Sequence, residues 1–225
     1  MTSPNLSGDP LAVRARMLLL LLVIGAASVG GAAYAVLRLR DFSDPENFDG
    51  SPLPRPVANA PYIKTDDLVV DKMIEMARIT DKDMVFDLGC GDGRLVIASA
   101  VQRGSRGVGF DIEPARVTEA TENAKRQNVD KLVTIKEQDV FTVDLREADV
   151  VVMYLLPMML EKLIPQFDQC RPGTRIVSHD FPIEGLQTDK TEIVMLAGND
   201  THRVYLYVSP LKHLPPKQQP WKRKK

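Results

Sequence analysis

The sequence predicts an α/β fold in which a parallel sheet is covered by helices on both faces. Three observations predict it. Strand-like and helix-like segments alternate from Tyr62 onward. The strand segments are solidly apolar rather than alternating, as in sheets buried on both sides. A glycine-rich turn, VFDLGCGDGR at 85–94, joins the first strand directly to a helix. The chain has 225 residues, room for one or two domains. With 44% hydrophobic residues, 26% charged residues and a net charge of -1, it can build an ordinary core. That balance gives no whole-chain reason to expect nucleic-acid binding. The two cysteines, Cys90 and Cys170, form neither a CxxC pair nor a zinc quartet, so neither a disulfide framework nor a metal site is expected.

A short N-terminal tail, 1–16, precedes MLLLLLVIGAASVGGAAYAVL at 17–37, a stretch of 21 residues without a charge. As a helix it would be about 32 Å long, enough for a hydrocarbon core of roughly 30 Å. It therefore reads as a single transmembrane helix. The competing reading is a cleaved secretory signal, because Ala33-Tyr34-Ala35 resembles an A-x-A cleavage site. Arginines flank the segment on both sides, at 14 and 16 and at 38 and 40, so their count does not orient it. Residues 38–60 are proline-rich without apolar periodicity and read as a linker. A domain is expected over 61–210, followed by a basic, proline-rich tail over 211–225. That tail is either solvated or laid on anionic lipid.

Within the domain, Thr65 is a candidate N-cap for a helix with Val69, Met73, Met76 and Ala77 on one stripe. Met84–Leu88 is a short buried strand and Arg94–Val101 the helix after the glycine turn. Gly107–Phe110 is a second strand ending at Asp111. Pro114 opens a helix with Val117, Ala120 and Ala124 on one face. Val133–Lys136 and Asp149–Tyr154 are further strands. The helix over Met158–Phe167 carries Pro165, which predicts a kink or break. Thr174–Ser178 is a fifth strand, and Thr191–Met195 with Val204–Val208 could form a closing pair.

The turn at 85–94 decides the ligand. In open α/β sheets ligands sit at the carboxyl ends of the strands. The dinucleotide fingerprint G-x-G-x-x-G would require a third glycine where Arg94 stands, and no Gly-Lys-Ser/Thr phosphate loop is present. What remains is D-x-G-x-G-x-G: Asp87, Gly89, Gly91 and Gly93, with Asp92 inside the turn. An acidic residue at the mouth of the turn suits a cationic ligand and repels a polyphosphate. Asp111, ending the second strand, can accept hydrogen bonds from two ribose hydroxyls. Asp139, past the third strand, is placed to receive an adenine amine. For each aspartate alone, a turn or helix cap is an equally good reading. Together at successive strand ends they point to S-adenosylmethionine as cofactor.

These segments carry a resemblance. VFDLGCGDGR with GVGFDIEP at 107–114 resembles the first two motifs of the class I, seven-stranded S-adenosylmethionine-dependent methyltransferases. PYIKTDDLVVDKM (61–73), DLGCGDGRLVIASA (87–100), DVVVMYLLP (149–157) and PGTRIVSHDF (172–181) are similar to the protein-lysine N-methyltransferase family. That family includes the enzymes acting on the ATP synthase c subunit and on the adenine nucleotide translocase, and the similarity spans about residues 61–208. The resemblance implies a Rossmann-like seven-stranded sheet with helices on both faces, preceded here by the hydrophobic segment. It also implies a lysine acceptor in a protein.

A lysine amine is inert while protonated, and a water-poor site favours its neutral form. Tyr154-Leu155-Leu156-Pro157 offers an aromatic ring beside apolar walls, so Tyr154 is the candidate catalytic, substrate-orienting residue. A core tyrosine with a satisfied hydroxyl is the competing reading. Many amine methyltransferases of this class carry Asn/Asp-Pro-Pro-Tyr here instead; its absence argues against nucleobase or glutamine acceptors. His179 and Asp180 could receive a proton, line the substrate channel or act structurally. Tyr62 and Thr65 could fold over the cofactor as a lid, and Lys64 either faces solvent or repels a basic substrate. The expected protein is thus a membrane-anchored protein-lysine methyltransferase acting on a protein, with a membrane protein among the candidate substrates and no nucleic-acid partner. Because the cofactor is kept in the cytosol or in organelles that import it, the domain should face that side. A small-molecule or lipid methyltransferase, such as one acting on a quinone precursor, and a non-catalytic cofactor-binding scaffold are the alternatives.

Overall fold

A computed structural model describes residues 63–215. The anticipated transmembrane segment at 17–37, the linker at 38–60 and Tyr62 lie outside the described residues, as does the tail past 215. Among the described residues no helix is long and apolar enough to cross a membrane.

The elements follow one another as α1 (Asp67–Met76), β1 (Met84–Leu88), α2 (Arg94–Arg103), β2 (Arg106–Asp111), α3 (Pro114–Arg126), β3 (Val133–Glu137), β4 (Val150–Met153), α4 (Pro157–Phe167), β5 (Arg175–His179), β6 (Lys190–Met195) and β7 (Thr201–Val208). The strands form one seven-stranded sheet in the order β3-β2-β1-β4-β5-β7-β6. Its first five strands are parallel, whereas β7 runs antiparallel to both β5 and β6. The sheet is therefore mixed rather than wholly parallel: the closing pair is a hairpin, and a hairpin must reverse direction.

Alternate residues of each strand feed opposite sides. Val85, Val150, Val152, Val177 and Val204 pack with α1 and Leu95 of α2. Phe86, Leu88, Val151, Met153, Ile176 and Tyr207 pack with Met159, Leu160, Leu163 and Phe167 of α4 on the other face. Both sides of a central strand are apolar, which is why the strand segments read as unbroken hydrophobic runs. A smaller cluster joins Val96, Ile97 and Ala100 of α2 to Ala124 of α3 and Val133 of β3.

Three local expectations are corrected. The N-cap of α1 is Asp66, whose carboxylate accepts from Leu68 N–H at 2.9 Å, and not Thr65, which is turned inward and buried. Helix α4 is not broken at Pro165 but continues to Phe167. Pro165 falls in the last turn, so the single bond its missing N–H withholds, to the Glu161 carbonyl, does not stop the helix from reaching Phe167. Residues 211–214 also lie against the domain: Gln187 N–H donates to Lys212 O (2.8 Å), Leu214 N–H to Gly185 O (2.7 Å), and Lys212 pairs with Asp189.

The strand order reverses between β1 and β4, whose successors lead to opposite edges. A crevice opens outside the carboxyl ends of strands at such a point. Leu88 of β1 is in register with Met153 of β4, and Met153 with Ser178 of β5. The glycine turn, Tyr154 and the His179-Asp180 pair therefore leave the sheet side by side along one edge.

Candidate active site

The turn after β1 is built from left-handed glycines. Gly89, Gly91 and Gly93 have φ of 74°, 55° and 77°, a region costly for residues with a Cβ. A Cβ on Gly93 would stand 2.9 Å from Ala120 Cβ, and one on Gly89 2.9 Å from Leu155 Cδ2. The backbone here thus comes close to its surroundings in a way only glycine permits. Gly89 and Cys90 N–H both donate to Phe110 O, at 2.8 and 2.9 Å, tying the turn to the end of β2. Cys90 is buried under the turn and is a free thiol, pushed far above its usual range by burial.

The aspartates fall around this turn in different states. Asp87 is 4% exposed, and its Oδ2 has no hydrogen-bond partner among the described residues. Burial pushes its carboxyl up to about 7; the nearby Asp111 and Asp92 add to this, while the Val96 N–H pulls the other way. An orphaned, buried carboxylate oxygen beside a glycine cradle is a fitting seat for a cationic group. Asp111 accepts from Gly91 N–H through Oδ2 (2.9 Å) and from Glu113 N–H through Oδ1 (3.0 Å). Each of its oxygens keeps a further lone pair. Asp139 caps a short turn, Val140–Thr142, by accepting from Phe141 N–H at 2.9 Å. Asp92 is held by Arg94, Nε to Oδ1 at 3.0 Å and Nη2 to Oδ2 at 2.5 Å. Arg94 also donates to Thr65 O at 2.6 Å, so this pair fastens the segment before α1 to the glycine turn.

On the β4 side, Tyr154 is half-buried, with its phenol donating to Asp180 Oδ2 at 3.2 Å. Burial and the Asp180 carboxylate push the phenol up to about 12, so it stays protonated. Its ring lies on the His179 imidazole with centroids 3.9 Å apart, and Phe181 stacks at 6.2 Å. His179 is almost wholly buried, and burial lowers it to about 4, which keeps the imidazole neutral. Asp180 is held in the left-handed region at φ 58°, its Oδ1 accepting from Arg203 N–H at 3.0 Å. Lys64 is solvent-exposed.

One residue at this edge escaped the sequence reading. His202 Nδ1 lies 2.9 Å from Asp180 Oδ2 and 3.0 Å from His179 Nε2. It sits at the start of β7. Because β7 is antiparallel, its first residues arrive at the edge where the parallel strands end. A hairpin reading of the last two strands held that information, but only together with the strand order.

The comparisons with known proteins agree with this geometry. The family profile for the ANTKMT methyltransferase domain matches residues 87–190. A protein-lysine N-methyltransferase of Saccharolobus islandicus is 41% identical over 154 residues, 68% of this chain and 95% of the relative. The chain belongs to this methyltransferase family. The mouse adenine nucleotide translocase lysine N-methyltransferase is 33% identical, over 85% of this chain and 79% of its own length. A solved structure from Salinibacter ruber, described as an RNA methyltransferase in complex with S-adenosyl-L-homocysteine, is 42% identical. It superposes with a TM-score of 0.62 over 69% of this chain and 98% of its own. The methyltransferase is accordingly an enzyme that uses S-adenosylmethionine, on the Rossmann-like sheet that the glycine turn announced.

Proposed function

We propose that this methyltransferase transfers its methyl group to lysine side chains of a protein substrate. The observation that carries the reading is Tyr154: a neutral phenol at the strand-order reversal, one strand over from the glycine turn, with its hydrogen directed to Asp180. Asp87, Gly89, Gly91, Gly93, Asp111 and Asp139 would hold the cofactor, with the Asp92–Arg94 pair bracing the turn. The glycines allow close backbone approach, Asp87 meets positive charge, and Asp111 and Asp139 offer acceptor oxygens for hydroxyl and amine groups. When bound, the cofactor would supply an electrophilic sulfonium methyl, to which an amine bonds in line as the thioether leaves.

The rest falls to the side chains. Because its hydrogen is committed to Asp180, the Tyr154 oxygen presents lone pairs outward and accepts an N–H of the incoming amine, which sets the direction of the nitrogen lone pair. The ring face attracts the lysine while it is still an ammonium. Buried Leu155 and half-buried Leu156 make the surroundings water-poor and favour loss of the ammonium proton. The lysine-specific names of the Saccharolobus and mouse relatives support this acceptor. An RNA acceptor is the second reading, favoured by the description of the Salinibacter structure.

Incubation of the purified enzyme with labelled cofactor and a cell extract, followed by separation of protein, lipid and RNA, tests the choice. Label on lysine in the protein fraction is expected; label confined to RNA or lipid overturns it. Tyr154→Phe should lower kcat roughly tenfold to hundredfold, the worth of about 1.4–2.7 kcal/mol of hydrogen bonding. Its affinity for S-adenosylhomocysteine should not change.

We further infer from the uncharged run at 17–37 that the enzyme is held in a membrane by one helix and meets substrates there, with its domain on the cofactor-containing side. Alkaline carbonate should leave the full chain in the membrane pellet, and protease added from the cytosolic or matrix side should digest the domain. Release into the supernatant, or protection from that protease, defeats this part alone.

A further inference from the structure

We propose that His179, Asp180 and His202 form a binding site for a divalent transition-metal ion of the zinc class. His179 Nε2, Asp180 Oδ2 and His202 Nδ1 converge on one point, with separations of 3.0, 2.9 and 3.4 Å. Ligand atoms about 2.1 Å from a zinc ion and about 90–109° apart lie about 3.0–3.4 Å from one another. The cluster already has the edges of such a coordination polyhedron, and two imidazoles with one carboxylate are a donor set that borderline-soft divalent ions favour. The three side chains are 1%, 22% and 19% exposed, so the site is sheltered yet reachable.

The outer contacts point the same way. Metal-binding histidines turn their second nitrogen to a hydrogen-bond acceptor, and metal-binding carboxylates are themselves hydrogen-bonded. His179 Nδ1 faces Thr65 Oγ1 at 3.5 Å, and His202 Nε2 faces Asp200 Oδ2 at 3.4 Å. Asp180 Oδ1 takes the Arg203 N–H. With the outer nitrogens turned to Thr65 and Asp200, both inner nitrogens face Asp180 Oδ2 and one another. Such an arrangement calls for a cation at its centre. The backbone contributes as well, since Asp180 is held at φ 58°, a conformation that costs a residue with a Cβ and aims the carboxylate inward. The Tyr154 phenol, 3.2 Å from the same Asp180 oxygen, stands at the rim of the site. An ion here would fix the carboxylate that orients Tyr154.

The cluster contains no cysteine, which is why a cysteine count gives no sign of it. The test is a titration of the chelator-treated full-length enzyme with Co2+, followed by visible absorption, and with Zn2+ by calorimetry. One ion per chain is expected, with cobalt bands distinct from those of the hydrated ion. His202→Ala and Asp180→Asn should lose at least about tenfold in affinity, and Thr65→Val about 10–100-fold. Binding of S-adenosylhomocysteine by each variant serves as the check on folding. Absence of ligand-field bands, or equal binding by wild type and His202→Ala, overturns the proposal and leaves a shared proton as what holds the cluster. No methyl transfer is read, so the outcome is separate from that of the lysine reading.

Discussion

Asp87 concentrates the chemistry of the cofactor half into one carboxyl group. Its ordinary value of 3.8 rises to about 7 in the folded protein, mainly through burial. The folded state therefore holds a proton that the unfolded chain releases. The stability this gives is complete below pH 3.8 and is lost as pH rises through about 7. Urea denaturation of the ligand-free enzyme between pH 5 and 8 should show a decline that Asp87→Asn flattens. A cationic ligand favours the charged form, so affinity for the sulfonium S-adenosylmethionine should rise across the same window more steeply in wild type than in Asp87→Asn. The glycines make a second prediction at this scale. Gly93→Ala meets Ala120 Cβ, which is fixed to a helix backbone, whereas Gly89→Ala meets only the tip of Leu155. Both pay about 1–2 kcal/mol for a left-handed backbone. Gly93→Ala should cost more than that in denaturation experiments, and Gly89→Ala should act chiefly on cofactor affinity.

Among the elements, β7 carries the most consequence for its length. It pairs with β5 and β6, and its buried Tyr207 hydroxyl accepts the Ile183 N–H at 2.8 Å, fastening the loop after β5. Tyr207→Phe leaves that buried donor without its acceptor. It should cost about 1–3 kcal/mol in urea denaturation with cofactor affinity unchanged. The strands themselves were legible because their patterns are local: Met84–Leu88 is an apolar run broken only by Asp87, and the Asp-x-Gly-x-Gly-x-Gly spacing is written in seven consecutive positions, 87–93. The N-cap was misplaced by one residue because Thr65 and Asp66 are both good caps, and only the inward pull of the Arg94 and His179 contacts separates them. His202 was not legible at all. Nothing in THRVYLYV marks its second residue as part of a site until the direction of β7 relative to β5 is known.

For the molecule as a whole, the sheet sorts its tasks along one edge: β1 and β2 present the glycine turn and Asp111, while β4, β5 and β7 present Tyr154, Asp180 and His202. The proposed cofactor and acceptor seats thus come from neighbouring strands of one core, and ligand binding should be felt as global stability. At a hundredfold excess over Kd, S-adenosylhomocysteine should add about 2.7 kcal/mol. For a domain of this size that is a rise in Tm of roughly 5–11 °C, read by calorimetry. The alternation of elements foretold a sheet covered by helices on both faces, whereas its strand order was not legible, because right-handed crossovers permit more than one order for the same alternation.

The β6–β7 connection, residues 196–200, inherits an unusual position from the reversal of its second strand. It bends through Gly198 and Asn199, both at positive φ, and its last residue, Asp200, brings a carboxylate oxygen to 3.4 Å from His202 Nε2. Exchanging these five residues among relatives should therefore redirect which nucleophiles are admitted while the donor half goes on working unchanged, a separation that lets selectivity drift without risk to the catalyst's engine.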